Sequence, residues 1–467
     1  MHGGRIMRER GNLELKKADA ILKKADPEEL RGFLRRELEK RPDLMERFMA
    51  CFSQAGQGRS LSHYKNEAES LYDDAECHGY VSYGTDIDFS AITDLAELYI
   101  EKEDFQEAAK IYQALTETIA EKMDEVDDSD GYYGEEFSDG LDLLVDCIID
   151  AGPGWVCRKS YIKYLMDKYL RRDPDYFQDN YREALEKLCT TDDDLKYWKE
   201  LLEPHVPENI PDGHDWSSYY NARKLISMQL HVLSKLKDMA GFYSLIEKHY
   251  RSDHDLCLWY ARQLLEDGDR AKAVKVAEEG VALFPEHLSG KIRDFLSGIY
   301  RKADPKRYRE TLQSLFLTEG DWKYYDTLKK ASPLEEWSQR LGEILARCSD
   351  PRLGRLGRDK IIDIYLKERM YDQALSNVLS QKSLFALSRY QDKLGHRYPE
   401  EYFNAYRELI IPFAGKGTGR KHYQEVVSYL NKMKRIEGFE GAVLVIVKQL
   451  RAENRRKPAF IDEMKDL

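Results

Sequence analysis

Small and aromatic residues return along this chain at the spacing of paired helices. In ITDLAELYIEKEDFQEAAKIYQALTET, residues 92–118, Ala96, Tyr99, Ala108 and Tyr112 recur at fixed offsets. The small residues let two antiparallel helices approach closely, and the aromatic residues fill the wedge beside them. YARQLLEDGDRAKAVKVAEEGVALFP, residues 260–285, repeats the offsets with Ala261, Leu264, Ala273 and Ala277, and Pro285 stops the second helix. IIDIYLKERMYDQALSNVLSQ, residues 361–381, does so with Ile362, Tyr365, Ala374 and Val378. A second phrase also recurs: DLKYWKELLEP (194–204) and DWKYYDTLKKASP (321–333) share an Asp that predicts a helix N-cap and a Pro that predicts a stop.

No segment alternates with period two between hairpin turns, so strands are expected to be few or absent. The pattern predicts an all-α chain, an α-solenoid of tetratricopeptide-like helical hairpin repeats. Such repeats contact mainly their neighbours and suit a long curved binding surface. The expected segments are a basic N-terminal tail or helix (1–26), N-terminal helices (27–90), an acidic repeat with its connector (91–155), degenerate hairpins (156–415) and basic capping helices (416–467). In SYIKYLMDKYLRR (160–172), Tyr161, Leu165, Lys168 and Tyr169 share one helical face, an arrangement that predicts inter-helix packing rather than a ligand cage.

Composition agrees with a helical protein. Of 467 residues, 34% are charged and 42% hydrophobic, with only 14 Pro and 29 Gly. No apolar run approaches the roughly 20 residues needed to cross a bilayer. The opening MHGGRIMRERGNLELKKADAILKKA is basic without a signal peptide's apolar core, so no secretion is expected. Cys51, Cys77, Cys147, Cys157, Cys189, Cys257 and Cys348 form no CxC or CxxC pair and predict reduced thiols in a cytoplasmic protein.

The net charge of -12 hides an asymmetry. From Glu67 to Asp150 there are 26 acidic residues against three lysines, and from Lys416 to Lys457 there are 11 Lys and Arg against four Glu. Both runs are expected to be solvated faces. Their attraction could draw chains together head to tail or close one chain on itself. Exposed ion pairs contribute only about 0.2–1 kcal/mol each, so a monomer or a weak, salt-sensitive oligomer is expected.

Several stretches resemble one family. ADPEELRGFLRRELEKRPDLMERF (25–48), AELYIEKEDFQEAAKIYQAL with the following DDSDGYYGEEFSDGL, RKHYQEVVSYLNKMKRIEG (420–438) and RRKPAFIDEMKDL (455–467) look like the helical region of prokaryotic SWIM-type zinc finger proteins. The finger itself requires CxC followed by CxH to hold tetrahedral zinc. This chain has neither, and Cys77 is followed directly by His78. The resemblance therefore implies the helical partner region alone, and no zinc ligand carries over.

Candidate chemistry is sparse. EVDDSDGYYGEEF (125–137) offers Asp128 and Asp130 at the third and fifth positions of a calcium loop, yet Val126 and Phe137 stand where the first and twelfth positions need oxygen. It reads as a connector between helices, with Asp127, Asp128, Asp130, Glu135 and Glu136 as an acidic docking surface. PFAGKGTGRKHYQEVV (412–427) mimics a phosphate loop but lacks GxxxxGK[ST]. His205, His214, His231, His249, His254 and His287 form no HExxH, and DGHD (212–215) and SDHD (252–255) read as turns and caps. No nucleophile motif is present.

The expectation is a non-catalytic scaffold for an unidentified protein partner, with no cofactor, no metal and no membrane contact. On the resemblance, that partner would process nucleic acid. The alternative is direct nucleic-acid or anion contact through Arg420, Lys421, His422, Lys432, Lys434, Arg435, Lys448, Arg451, Arg455, Arg456 and Lys457.

Overall fold

The structure is a computed structural model that describes residues 17–18, 20–52, 58–152, 154, 156–172, 175–211, 215–349 and 357–467. Most of the basic segment 1–26, and the DGHD turn at 212–214, lie outside the described residues. The fold is all-α and built from tetratricopeptide-like hairpins. Among the described residues there is no strand, only one isolated parallel bridge between Val81 and Val126. No helix among them is long and apolar enough to cross a membrane.

The three sequence repeats are helix pairs: Ser90–Glu101 with Phe105–Lys122, His254–Glu266 with Arg270–Leu283, and Arg358–Lys367 with Tyr371–Ser380. Each pair turns through one residue of positive φ: Glu103 at 60°, Gly268 at 88° and Arg369 at 61°. The next backbone N–H reaches back to close the helix end, Asp104 to Tyr99 O (2.9 Å), Asp269 to Leu264 O (2.9 Å) and Met370 to Tyr365 O (2.8 Å). This left-handed stop satisfies carbonyls that a helix end leaves unpaired. The marker residues are buried, apart from a half-buried Tyr365.

A fourth turn of the same build has no marker in the sequence pattern. Lys237 has φ 59°, and Asp238 N–H donates to Leu233 O at 3.0 Å, as its counterparts do. It joins Trp216–Lys235 to Met239–His249. Counted from the left-handed residue, the marker positions hold Leu230, Leu233, Phe242 and Ile246, all buried. The register is kept while the small residues are replaced by large ones.

The chain forms two compact units, Met1–Ile246 and Glu247–Leu467, each with its own core. In the first, one apolar cluster runs from Ala50 to Val232 and takes in Tyr161, Leu165 and Tyr169 of the tyrosine stripe. In the second, neighbouring clusters gather around Phe316, Tyr325 and Ile344, and around Tyr402, Leu430 and Val447.

One expected cap is corrected. In DWKYYDTLKKASP, Asp321 does cap its helix, accepting from Lys323 N–H at 2.8 Å. In DLKYWKELLEP the cap is instead Thr191, whose hydroxyl accepts from Asp194 N–H at 3.2 Å. Asp194 lies inside the first turn of Asp192–Leu202 and faces inward, where Arg158 neutralises it.

Candidate functional site

The connector at 125–137 is a tightly bonded turn. Asp128 accepts from the backbone N–H of Tyr133 (2.7 Å) and Gly134 (3.2 Å), and Asp130 from that of Tyr132 (3.3 Å). Asp127 accepts from the N–H and hydroxyl of Ser129. The Asp128 and Asp130 carboxylates start the helix Tyr132–Asp150, where acids also suit the helix dipole. Glu135 is exposed, and Glu136 is half-buried, with burial first and then the Asp139 charge raising its pKa. Within the same acidic segment Glu107 points inward, accepting from Tyr64 Oη at 2.8 Å and pairing with Lys110 at 2.6 Å.

The basic C-terminal residues fall into two sets. Arg420 pairs with Asp462 (2.8 Å) and Glu463 (2.6 Å), and Lys434 donates to the Leu467 carbonyl at 3.1 Å. Lys432 donates to Ser388 Oγ and Arg451 to the Met464 carbonyl. Arg420, Lys434 and Arg451 hold the last helices together, and Lys432 ties Arg420–Lys434 to Leu384–Leu394. His422 packs its ring on Phe413, centroids 4.8 Å apart, and its buried Nε2 has no hydrogen-bond partner among the described residues. Lys457 is half-buried at the cap of Pro458–Glu463. Lys421, Arg435, Lys448, Arg455 and Arg456 are exposed and make no ion pair among the described residues.

A more concentrated arrangement occurs elsewhere in the second unit, at a cleft of about 630 Å³. Trp322, the first residue of its helix, and Tyr371, the first of another, line it together with Asp363, Leu366, Lys367, Lys393 and Arg397. Cations sit against both rings. Lys360 Nζ lies 4.0 Å from the Trp322 ring centroid and Lys367 Nζ 5.0 Å from it, and the Arg397 guanidinium lies 4.0 Å from the Tyr371 centroid. Lys367 also pairs with Asp326 at 2.9 Å. Lys360, Lys393 and Arg397 make no ion pair among the described residues.

Burial lowers the pKa of Lys360, and the Asp363 and Asp321 charges oppose the shift without cancelling it. An anion entering the cleft would meet Lys393, Arg397 and two aromatic faces already polarised by cations.

Sequence reasoning did not select this cleft. Its parts lie in segments marked for other reasons: Trp322 is the second residue of DWKYYDTLKKASP, and Asp363, Leu366, Lys367 and Tyr371 lie in the third repeat. The available signal was the coincidence of aromatic residues at helix starts with unbalanced lysines on the exposed repeat face.

No family model matches the chain, and no curated protein matches it. Among solved structures it is similar to a monomeric IFIT1 mutant with Gppp-AAAA (13% identity, 87% of this chain and 94% of that one, TM-score 0.22). It is also similar to a human IFIT1 dimer with m7Gppp-AAAA (12% identity, 87% and 93%, TM-score 0.22). A third is a circular tandem repeat protein with novel repeat topology (13% identity, 87% of each chain, TM-score 0.17). At TM-scores this low the likeness carries no weight for function, and the all-α repeat fold rests on the helices themselves.

Proposed function

We propose that this protein is a non-catalytic helical-repeat scaffold that grips an acidic segment of a protein partner in the Trp322–Arg397 cleft. The observation behind this reading is that Lys393 and Arg397, which make no ion pair among the described residues, line the cleft with Trp322 and Tyr371, while Lys360 sits against the Trp322 ring. Carboxylates spaced along a peptide can meet these cations one at a time, and an apolar side chain between them can lie against Leu366. Polyphosphate chains fit less well, because they carry no apolar side chain to lie against Leu366. On the family resemblance, the partner is one that processes nucleic acid.

Cation–π and exposed ion-pair contacts contribute about 0.5–1 kcal/mol each, so a few of them support roughly micromolar binding only together with apolar burial. Fluorescence anisotropy with labelled peptides rich in Asp and Glu and carrying one aromatic residue tests this. Saturable binding that weakens about tenfold in Arg397→Glu is the expected result. No saturable binding to any acidic peptide would refute the reading. Direct nucleic-acid contact through Lys421, Arg435, Lys448, Arg455 and Arg456 is the second reading, carried by their exposure.

A further inference from the structure

In the first unit, His63 and Glu67 stand one turn apart on the helix Leu61–Ala75, and Glu46 reaches them from the helix Pro42–Phe52. His63 Nε2 lies 2.5 Å from Glu46 Oε1 and 3.5 Å from Glu67 Oε1, and the three donor atoms all fall within 4.8 Å of one another. We propose that Glu46, His63 and Glu67 form a binding site for a divalent ion of the zinc class. This site is separate from the Trp322–Arg397 cleft and does not depend on the function assigned to it.

The chemistry of the donor set selects the ion. Imidazole nitrogen with two carboxylates suits a borderline transition ion, whereas calcium and magnesium favour all-oxygen shells. Zinc holds such ligands at about 2.0–2.2 Å, which places neighbouring donor atoms about 3–3.5 Å apart. The His63–Glu67 pair already has this separation at 3.5 Å. Glu46 must withdraw by less than about 1 Å, a change its flexible side chain allows.

Burial and charge point the same way. The Glu46 side chain is 12% exposed while His63 and Glu67 are 39% and 38% exposed, so the cluster is anchored inside and open on one side for water ligands. Arg59 is the cation in attendance, with Nε 3.6 Å from Glu46 Oε1. Glu67 has no such contact with Arg59 among the described residues and meets His63 instead. A divalent ion would complete the neutralisation and let Arg59 serve as an outer partner of Glu46. The ligand spacing also staples the helices Pro42–Phe52 and Leu61–Ala75 to each other.

The test is calorimetric titration of the untagged full chain with Zn²⁺, in a Cys51→Ser/Cys77→Ser background so that the exposed thiols do not compete. One equivalent should bind, and Co²⁺ should give the absorption bands of a low-coordinate nitrogen and oxygen site. Affinity should fall by about tenfold or more in His63→Ala and in the near-isosteric Glu67→Gln, and stay unchanged in His254→Ala. Circular dichroism confirms that each variant is folded, and Glu67→Gln keeps the test open should His63→Ala unfold. Absence of stoichiometric binding, equal affinity in the folded variants, or equal affinity for Mg²⁺ would overturn the proposal.

Discussion

Arg158 and Asp194 form a buried ion pair, 3.0 Å from Nη2 to Oδ2, with side chains only 6% and 7% exposed. The same guanidinium donates to the Leu188 carbonyl at 2.7 Å and the Ile148 carbonyl at 3.4 Å. It therefore closes the C-terminal ends of Gln178–Leu188 and Tyr132–Asp150 while neutralising the first turn of Asp192–Leu202. Removing one partner leaves a buried charge uncompensated, at a cost of about 3–5 kcal/mol. Asp194→Ala should lower the stability of the first unit by that amount in urea unfolding. A loss under about 1 kcal/mol would show that the pair is effectively solvated.

The four left-handed turns predict a set of opposite effects. A non-glycine residue in this conformation costs roughly 1 kcal/mol, partly offset by the greater unfolded-state freedom of glycine. Glu103→Gly, Lys237→Gly and Arg369→Gly should each stabilise by about 0.5 kcal/mol, and Gly268→Ala should destabilise by about 1 kcal/mol. Thermal unfolding of the four variants checks the signs. Destabilisation in the three glycine variants would mean that side-chain contacts dominate at these turns.

Glu368, whose side chain is 9% exposed, accepts from Lys329 Nζ (2.7 Å), Tyr325 Oη (2.8 Å) and Trp337 Nε1 (3.2 Å). Burial alone would raise its pKa, but the hydrogen bonds from Lys329, Tyr325 and Trp337 outweigh burial and hold it below the ordinary glutamate value. A folded pKa below the unfolded value of about 4.3 gives stabilisation that is complete above that pH and fades as pH falls through the folded value. The stability difference between wild type and Glu368→Gln should be constant above about pH 5 and shrink below about pH 4. A difference that stays flat to acid pH would contradict the assignment.

Self-association should be weak and electrostatic. The exposed set Lys421, Arg435, Lys448, Arg455 and Arg456 is available to acidic surfaces of another copy. Light scattering should show any oligomer dissolving in about 1 M salt, where the Debye length is about 3 Å. A dimer that persists there would be held by apolar surface.

The repeats were legible where small residues marked them. Ala96 and Ala108, or Ala261 and Ala273, announce close helix approach, and Gly268 announces the turn. The fourth turn escaped because Leu230 and Phe242 occupy the small positions, so only register identifies it. Asp194 is deceptive for a related reason: a cap and a buried counter-ion look alike until Arg158 is seen beside it. The cleft was harder still. Lys360 and Lys367 have the pattern of a solvated repeat face, and only tertiary packing sets Trp322 against them. The cluster of Glu46, His63 and Glu67 likewise needs two helices before its spacing has meaning.

The most direct measurement compares two charge reversals of equal size against one panel of ligands. Lys367→Glu/Lys393→Glu/Arg397→Glu alters the cleft, and Lys448→Glu/Arg455→Glu/Arg456→Glu alters the exposed C-terminal set. Anisotropy is read for labelled acidic peptides and for single-stranded DNA and RNA at low salt. Loss of three contacts of about 0.5–1 kcal/mol each predicts that peptide binding falls about ten- to a hundredfold in the cleft variant and stays unchanged in the C-terminal one. Peptide binding indifferent to the cleft reversal, with nucleic-acid binding abolished by the C-terminal reversal, would contradict the scaffold reading and establish the nucleic-acid one.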